Sequence, residues 1–222
     1  MALPTSGSIS MRQIRDYLGK SGKFSLNDPE ARKLARKTSG ALSMKDFRGK
    51  ARSLITQTNV YTADTTIVVP DYESVVITLL GAGGPDADEN RTTAATKVTG
   101  GGLVTSLIAN PGGKGRRGAN YVNVDVRSND ESDYVNYSWG KGIRGPAGTA
   151  SGGDQNITGG GKPGDTDSDY RDGPGGYGGK CVLTRSEGAA GAPDVGATLT
   201  VTAGKGYNTP TVTFEWTLYQ YN

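Results

Sequence analysis

The feature that most constrains this chain is where its glycines lie. Of 35 glycines only five (Gly7, Gly19, Gly22, Gly40 and Gly49) come before Gly81, and the other thirty fall between Gly81 and Gly206. They gather in clusters: "GAGG" (81–84), "GGG" (100–102), "GGKGRRG" (112–118), "GKGIRGPAG" (140–148), "GGDQNITGGGKPG" (152–164) and "GPGGYGG" (173–179). Glycine this dense admits two readings. One is a flexible low-complexity linker. The other is a set of packed extended helices of the polyproline II kind, with three residues per turn and a rise of ~3.1 Å. There the missing side chains let backbones approach, and each buried N–H and C=O bonds to a neighbour. Strand-like runs flank the span and Tyr, Trp, Val and Ile recur inside it, which favours an ordered body. No Gly-x-y period is sustained, so the span is not collagen.

The rest of the composition narrows the function classes. A chain of 222 residues makes one or two modest domains, and an apolar share of 34% with 7% aromatics leaves little for a large core. The longest apolar runs, such as "SVVITLL", are of strand length, so no membrane span is expected. The single cysteine, Cys181, cannot form an internal disulfide. No histidine occurs, which removes Ser-His-Asp and Cys-His triads and the usual zinc sites. A non-enzyme without cofactors is the expectation. Charge divides the chain unevenly: residues 1–53 hold 12 Lys/Arg against 4 Asp/Glu, or +8, and residues 54–222 hold 13 against 18, or −5. A basic head on a mildly acidic body suggests two jobs.

The head, residues 1–53, contains a degenerate repeat, "SGSISMRQIRDYLGK" (6–20) and "SGALSMKDFRGK" (39–50). Ser10 and Ser43 suit N-caps, and Ile14, Tyr17 and Leu18 share one face of a short helix that Gly19 ends. "SLNDPEARKLARKTSG" predicts a second helix, capped by Asn27 or Asp28, with Pro29 in its first turn and Leu34 facing inward. The expectation is a small three-helix module with a thin core that needs a partner. Its basic residues carry no nucleic-acid recognition signature, so a solvated basic face, or one that docks on an acidic protein, is the better reading.

Leu3, Pro4, Ser6, Gly7, Ile9 and Ser10, then "SLND" (25–28), then Ser39, Gly40, Ala41 and Ser43 resemble an N-terminal module of structural proteins in tailed bacteriophages. That family closes the module on Tyr-Gly-Lys-Ser, where this chain has Phe47-Arg48-Gly49-Lys50-Ala51. The resemblance covers roughly the first quarter of the chain and implies a virion protein.

In the body, residues 54–222, "TTIVVPDYESVVITLLGAGG" predicts two strands around a turn at Pro70-Asp71. At the far end "ATLTVTAGKGYN" and "TPTVTFEWTLYQ" read as strands that pair with one another. Val212, Phe214, Trp216 and Leu218 alternate with Thr211, Thr213, Glu215 and Thr217. The fold class expected is therefore α+β, mainly β, with antiparallel strands flanking a glycine-rich span. The span resembles the glycine-rich domain of phage tail adhesins, such as the tip adhesin of T-even long tail fibres. There polyglycine II helices display variable loops that bind the host surface.

Most chemistry motifs fail on inspection. "GKGRRG" (113–118) and "GKGIRG" (140–145) match G-x-G-x-x-G without a flanking strand and helix, and after "ITLLGAGG" comes Pro85 with "DADEN" where a helix should begin. Gly19-Lys20-Ser21 lacks the earlier glycine of a P-loop. Asp165, Asp167 and Asp169 imitate the start of an EF-hand loop and are a metal candidate, but Tyr170 and Gly176 stand where the turn glycine and the closing glutamate ligand belong. The loop "NYVNVDVRSNDESDYVNYSW" is richer in the Tyr, Asn, Ser and Asp of adaptable recognition surfaces. Tyr121, Tyr134, Tyr137, Asp167, Asp169, Tyr170 and Tyr177 are the candidate receptor-binding residues. Equally, Val122, Val124 and Val126 alternate as a strand whose aromatics fill a small core. The combined expectation is a virion protein of the tail, made in the host cytoplasm. Residues 1–53 would bind other virion proteins, and the body would bind a host glycan or outer-membrane protein. A purely structural virion component is the alternative.

Overall fold

The computed structural model describes residues 2–118, 120–124, 135–139, 142–162, 164 and 174–222, with backbone alone for 120–124 and 135–139. They divide into two compact units, Met1–Thr56 with Thr217–Asn222, and Gln57–Trp216.

The first unit contains helices α1 (Met11–Tyr17) and α2 (Pro29–Ala35), seven residues each. Ser10 caps α1 through a reciprocal box: its hydroxyl accepts from the Gln13 amide at 3.2 Å, and its own amide donates to Gln13 Oε1 at 2.8 Å. Pro29 opens α2, and Arg36 ends it in the left-handed region at φ 56°. Ile14, Ala31, Leu34 and Phe47 are fully buried, with Leu3, Ile9, Leu18 and Ala35 around them. The last residues of the chain belong here as well. Ala51 and Asn222 exchange backbone hydrogen bonds (3.2 and 2.8 Å), and Arg36 donates to the Tyr221 carbonyl at 2.9 Å.

The mixed α+β class with a three-helix module does not form. The chain is mostly β, and where a third helix was expected there is one 3₁₀ turn, Met44–Phe47. The cause lies in the backbone on either side of Phe47. Leu3 donates to the Lys50 carbonyl at 2.9 Å and Gly49 to the Pro4 carbonyl at 3.1 Å, so the segment after Phe47 is held extended by the N-terminal residues. Arg48 accordingly leaves the helical region (ψ 129°). Only Met44 and Phe47 supply apolar side chains, a spacing that a single 3₁₀ turn satisfies.

The strands, in chain order, are β1 (Arg52–Tyr61), β2 (Thr65–Val68), β3 (Tyr72–Leu80), β4 (Thr96–Gly100), β5 (Leu107–Ala109), β6 (Asn120–Val124), β7 (Val135–Trp139), β8 (Ala150–Ser151), β9 (Gln155–Ile157), β10 (Lys180–Ser186), β11 (Thr198–Thr202) and β12 (Thr211–Tyr221). One five-stranded sheet runs β1-β12-β3-β10-β9 and a second runs β2-β11-β4-β5-β8, while β6 and β7 pair separately. The two terminal runs therefore do not pair with each other. β11 lies between β2 and β4, Val201 opposite Thr65 and Val98, whereas β12 lies beside β3. Pro70 and Asp71 likewise separate two strands that enter different sheets. In the second unit β3 and β10 of one sheet pack on β5 of the other. The shared core is Val75, Ile77, Leu79, Val98, Leu107, Leu183, Leu199, Val212 and Phe214, all buried. Tyr72, Phe214 and Trp216 interlock as an aromatic group, with centroids 5.2 Å (Tyr72–Trp216) and 5.5 Å (Phe214–Trp216) apart. The Tyr72 hydroxyl, buried with them, donates to the Pro193 carbonyl at 2.7 Å.

The segments 81–85, 110–115, 145–149 and 174–179 belong to neither sheet, and their hydrogen bonds repeat every three residues. Gly81 and Gly84 donate to Gly179 and Gly176 (both 2.8 Å), Gly112 and Gly115 to Ala82 and Pro85 (2.9 and 3.0 Å), and Asn110 and Gly113 to Thr149 and Pro146 (2.8 and 2.7 Å). Gly145 and Gly148 donate to Pro174 and Tyr177 (2.8 and 2.7 Å), while Gly176 and Gly179 donate to Gly113 and Asn110 (2.9 and 2.8 Å). A strand offers its bonds every second residue to two neighbours. A three-residue repeat instead lets segment 110–115 bond to three neighbours at once, 82–85, 146–149 and 176–179. A methyl group on Gly84, Gly112 or Gly176 would run into a neighbouring carbonyl, that of Gly113, Gly176 or Pro146 respectively. Backbone packs on backbone, and the polar groups that would otherwise be buried unpaired are satisfied.

Candidate recognition surface

This backbone-on-backbone framework roots several surface features. Tyr177 projects from segment 174–179 and is 41% exposed. The Arg144 guanidinium lies over its ring at 5.1 Å and also donates to the Gly175 carbonyl at 3.0 Å. The pair forms a flat cationic-aromatic patch on a fixed backbone. β6 and β7 form an antiparallel ladder that sets Tyr121 opposite Ser138 and Tyr137 opposite Val122. Two of the candidate tyrosines therefore sit at register positions of one hairpin. Tyr134, Asp165, Asp167, Asp169 and Tyr170 lie outside the described residues.

The loop Gly204–Pro210 begins within the run "ATLTVTAGKGYN", which reads in the sequence as a strand. With Thr62, Arg91 and Thr92 it lines an open cleft of about 470 Å³. Lys205 exchanges backbone bonds with Ala94 (2.9 and 3.0 Å), and Tyr207 donates to the Gly83 carbonyl at 2.9 Å. A methyl group on Gly206 would come within 2.5 Å of both Ala82 Cβ and the Gly83 carbonyl oxygen, so glycine is required for this close seating. The facing loop is pinned by Asp86, whose Oδ1 accepts from the amides of Asp88 and Glu89 (2.9 and 2.8 Å). From it Arg91 extends its Nε to Glu89 Oε2 at 2.8 Å and lies 5.5 Å from the centre of the Tyr207 ring. No local sequence pattern joins Arg91 to "GKGYN"; the pairing of Ala94 with Lys205 brings them together.

The displaced pKa values in the second unit follow from burial and ion pairing. Burial pushes the Cys181 thiol up, which keeps it protonated and unreactive. Burial, then the nearby Glu187 and Asp194 carboxylates, push Tyr72 up to about 12. Arg185 grips both oxygens of Asp154 (2.6 and 2.7 Å) and the Thr184 amide adds a third bond (2.8 Å). Together they hold that carboxyl below its usual range. Among the described residues no three His, Cys, Asp or Glu side chains come together to hold a metal ion. No helix is long and apolar enough to cross a membrane, among the described residues. What these surfaces offer chemically is aromatic faces, guanidinium groups and hydroxyls on a hydrogen-bonded backbone frame. Compared with known proteins, the chain matches no protein-family model, no curated protein and no solved structure.

Proposed function

We propose that this chain is a structural protein of a bacteriophage virion, sited at a tail tip or fibre end, whose glycine-rich body binds the host cell surface. It acts by binding, without catalysis, and its basic N-terminal residues attach it to the particle. The virion half of the reading rests on "LPTSGSIS", "SLND" and "SGALS". The observation that carries the binding half is the glycine framework. Its interior is fixed by backbone bonds, so the loops it roots are free to carry recognition side chains without carrying the fold. Rigid loops also lose less freedom on binding.

For attachment, the first unit presents Lys23 and Lys45, both exposed and without an ion pair among the described residues. Such charges suit an acidic neighbour in the particle. Lys23→Glu with Lys45→Glu is expected to leave the fold intact and reduce incorporation into particles.

The binding half is tested with the labelled full chain on a panel of bacterial strains, read by flow cytometry. Saturable binding to at least one strain is expected, with Tyr137→Ala or Tyr170→Ala weakening it about thirtyfold, the equivalent of about 2 kcal/mol. Absence of binding to the phage's own host would overturn the adhesin reading. One observation favours the purely structural alternative. β1 is a ten-residue edge strand with no charged residue from Ser53 to Tyr61, and Leu54, Ile55 and Val60 on it are exposed. Edge strands are usually guarded by charge or proline, and an unguarded one suits pairing with a neighbouring subunit.

A further inference from the structure

The Gly204–Pro210 cleft has a chemical character unlike the rest of its unit. Residues 54–222 carry a net −5, yet the cleft is lined by Arg91 and Lys205 with no aspartate or glutamate among its walls. Lys205 is exposed and makes no ion pair among the described residues. Arg91 commits only its Nε to Glu89, and its two terminal nitrogens have no hydrogen-bond partner among the described residues. The other walls include the hydroxyls of Thr62, Thr92 and Thr209 and the amide of Asn208, beside the ring of Tyr207 and the ring of Pro210. The loop backbone has no slack, because Lys205 and Tyr207 are hydrogen-bonded at their amides and Gly206 is wedged against Ala82.

Each feature narrows the ligand. Two cations need an anionic group, and a guanidinium suits a carboxylate or phosphate. A local positive cleft on a negative body attracts a small ligand with one anionic group and opposes a polyanion such as nucleic acid. The threonine hydroxyls and the Asn208 amide match a partner with many hydroxyls of its own. A volume of about 470 Å³ accommodates one or two sugar rings. We infer that this cleft binds a saccharide bearing a carboxylate or phosphate, with Arg91 and Lys205 on the acidic group and Thr62, Thr209 and Asn208 on ring hydroxyls. The inference rests on the host-binding reading only for the source of the saccharide.

The test uses the full chain with galacturonic acid, glucose 6-phosphate, glucose and inorganic phosphate, followed by saturation-transfer NMR and calorimetry. Both charged sugars are expected to bind at least about tenfold more tightly than glucose or phosphate alone. Lys205→Ala is expected to weaken them about fivefold or more with an unchanged Tm, and added salt to weaken them further. Glucose binding as tightly as glucose 6-phosphate, phosphate binding as tightly as either charged sugar, or an unchanged affinity in Lys205→Ala would each overturn the inference. So would no binding of the charged sugars at millimolar concentration, even if the protein still bound bacteria, in which case the host-binding reading would stand. Charged-sugar binding lost in Lys205→Ala, with no bacterium bound, would instead support the cleft and sink the host-binding reading.

Discussion

Glycine serves opposite purposes in the N-terminal segment and in the backbone framework of the second unit. In the N-terminal segment all five glycines lie in the left-handed region, with φ between 65° and 82°. Four of them, Gly7, Gly19, Gly22 and Gly40, have open space where a side chain would be. Among the framework glycines, Gly84, Gly112 and Gly176 lie outside that region, and each has a neighbouring carbonyl where a side chain would be. One set of glycines is there for torsion and the other for room. The difference follows from what each region buries. The first unit buries side chains (Ile14, Leu34, Phe47) and needs glycine only where the chain turns. The framework buries the backbone itself, so stability there comes from satisfied N–H and C=O groups rather than from apolar area.

If that contrast holds, side-chain truncation divides the molecule. Phe47→Ala removes a fully buried ring and is expected to cost about 3–5 kcal/mol. Tyr177→Ala, on the framework but 41% exposed, is expected to cost under about 1 kcal/mol. Urea unfolding of the two variants measures both. Comparable losses would mean that the framework also depends on side-chain packing.

Adding a methyl group reverses the order of sensitivity. Gly176→Ala meets the Pro146 carbonyl, which cannot give way without breaking its bond from Gly113, and about 1–3 kcal/mol or more is expected. Gly19→Ala meets nothing and pays only for its φ of 71°, about 1–2 kcal/mol. Asparagine separates the two causes. It tolerates left-handed backbone, so Gly19→Asn should recover most of the loss, whereas Gly176→Asn should be worse than Gly176→Ala. A partial rescue at position 176 would show that torsion matters in the framework too.

Much of this contrast was legible in the sequence, because it depends on local chemistry. Ser10 before "MRQIRDYL" announces the cap, Ile14 and Leu18 the buried face, and Val212, Phe214 and Trp216 the buried side of β12. What escaped was set by distant chain. The third helix is lost because residues 3 and 4 claim the backbone of 49 and 50. β11 and β12 read as a pair because they are adjacent in sequence, yet each has better-matched partners elsewhere, Thr65–Val68 with Lys97–Gly100 for β11 and Tyr72–Leu80 for β12. Residues 217–222 join the first unit although they continue the same strand, β12, whose alternation of burial ends at Trp216. The site divides in the same way. Tyr177 and the tyrosines of the hairpin are visible as composition, while the cleft of Arg91 and Lys205 exists only because Ala94 pairs with Lys205.

The smallest expected effect asks whether the first unit's stability extends from its core to its polar turn. The Ser43 amide donates to Asp46 Oδ2 at 2.8 Å and Lys37 lies 2.9 Å from Oδ1; the amide first, then the lysine, hold the Asp46 carboxyl below its ordinary value near 3.8. A carboxyl lowered in the folded state binds its proton more readily in the unfolded chain. Its contribution is therefore present above the unfolded value and is lost as pH falls through the folded one. Asp46→Asn should destabilise the first unit modestly at about pH 6, and the gap from wild type should shrink below about pH 4 and close once Asp46 is protonated in both states. Resonances of Ile14 and Phe47 during urea titration report on that unit separately from Asp154, whose pairing with Arg185 gives the second unit an acid sensitivity of the same sign. A gap that stays constant to the lowest pH would mean that the Asp46 contribution is one of shape, made equally by the neutral side chain. The 3₁₀ turn would then be held by Phe47 and by the Leu3–Lys50 and Gly49–Pro4 bonds alone.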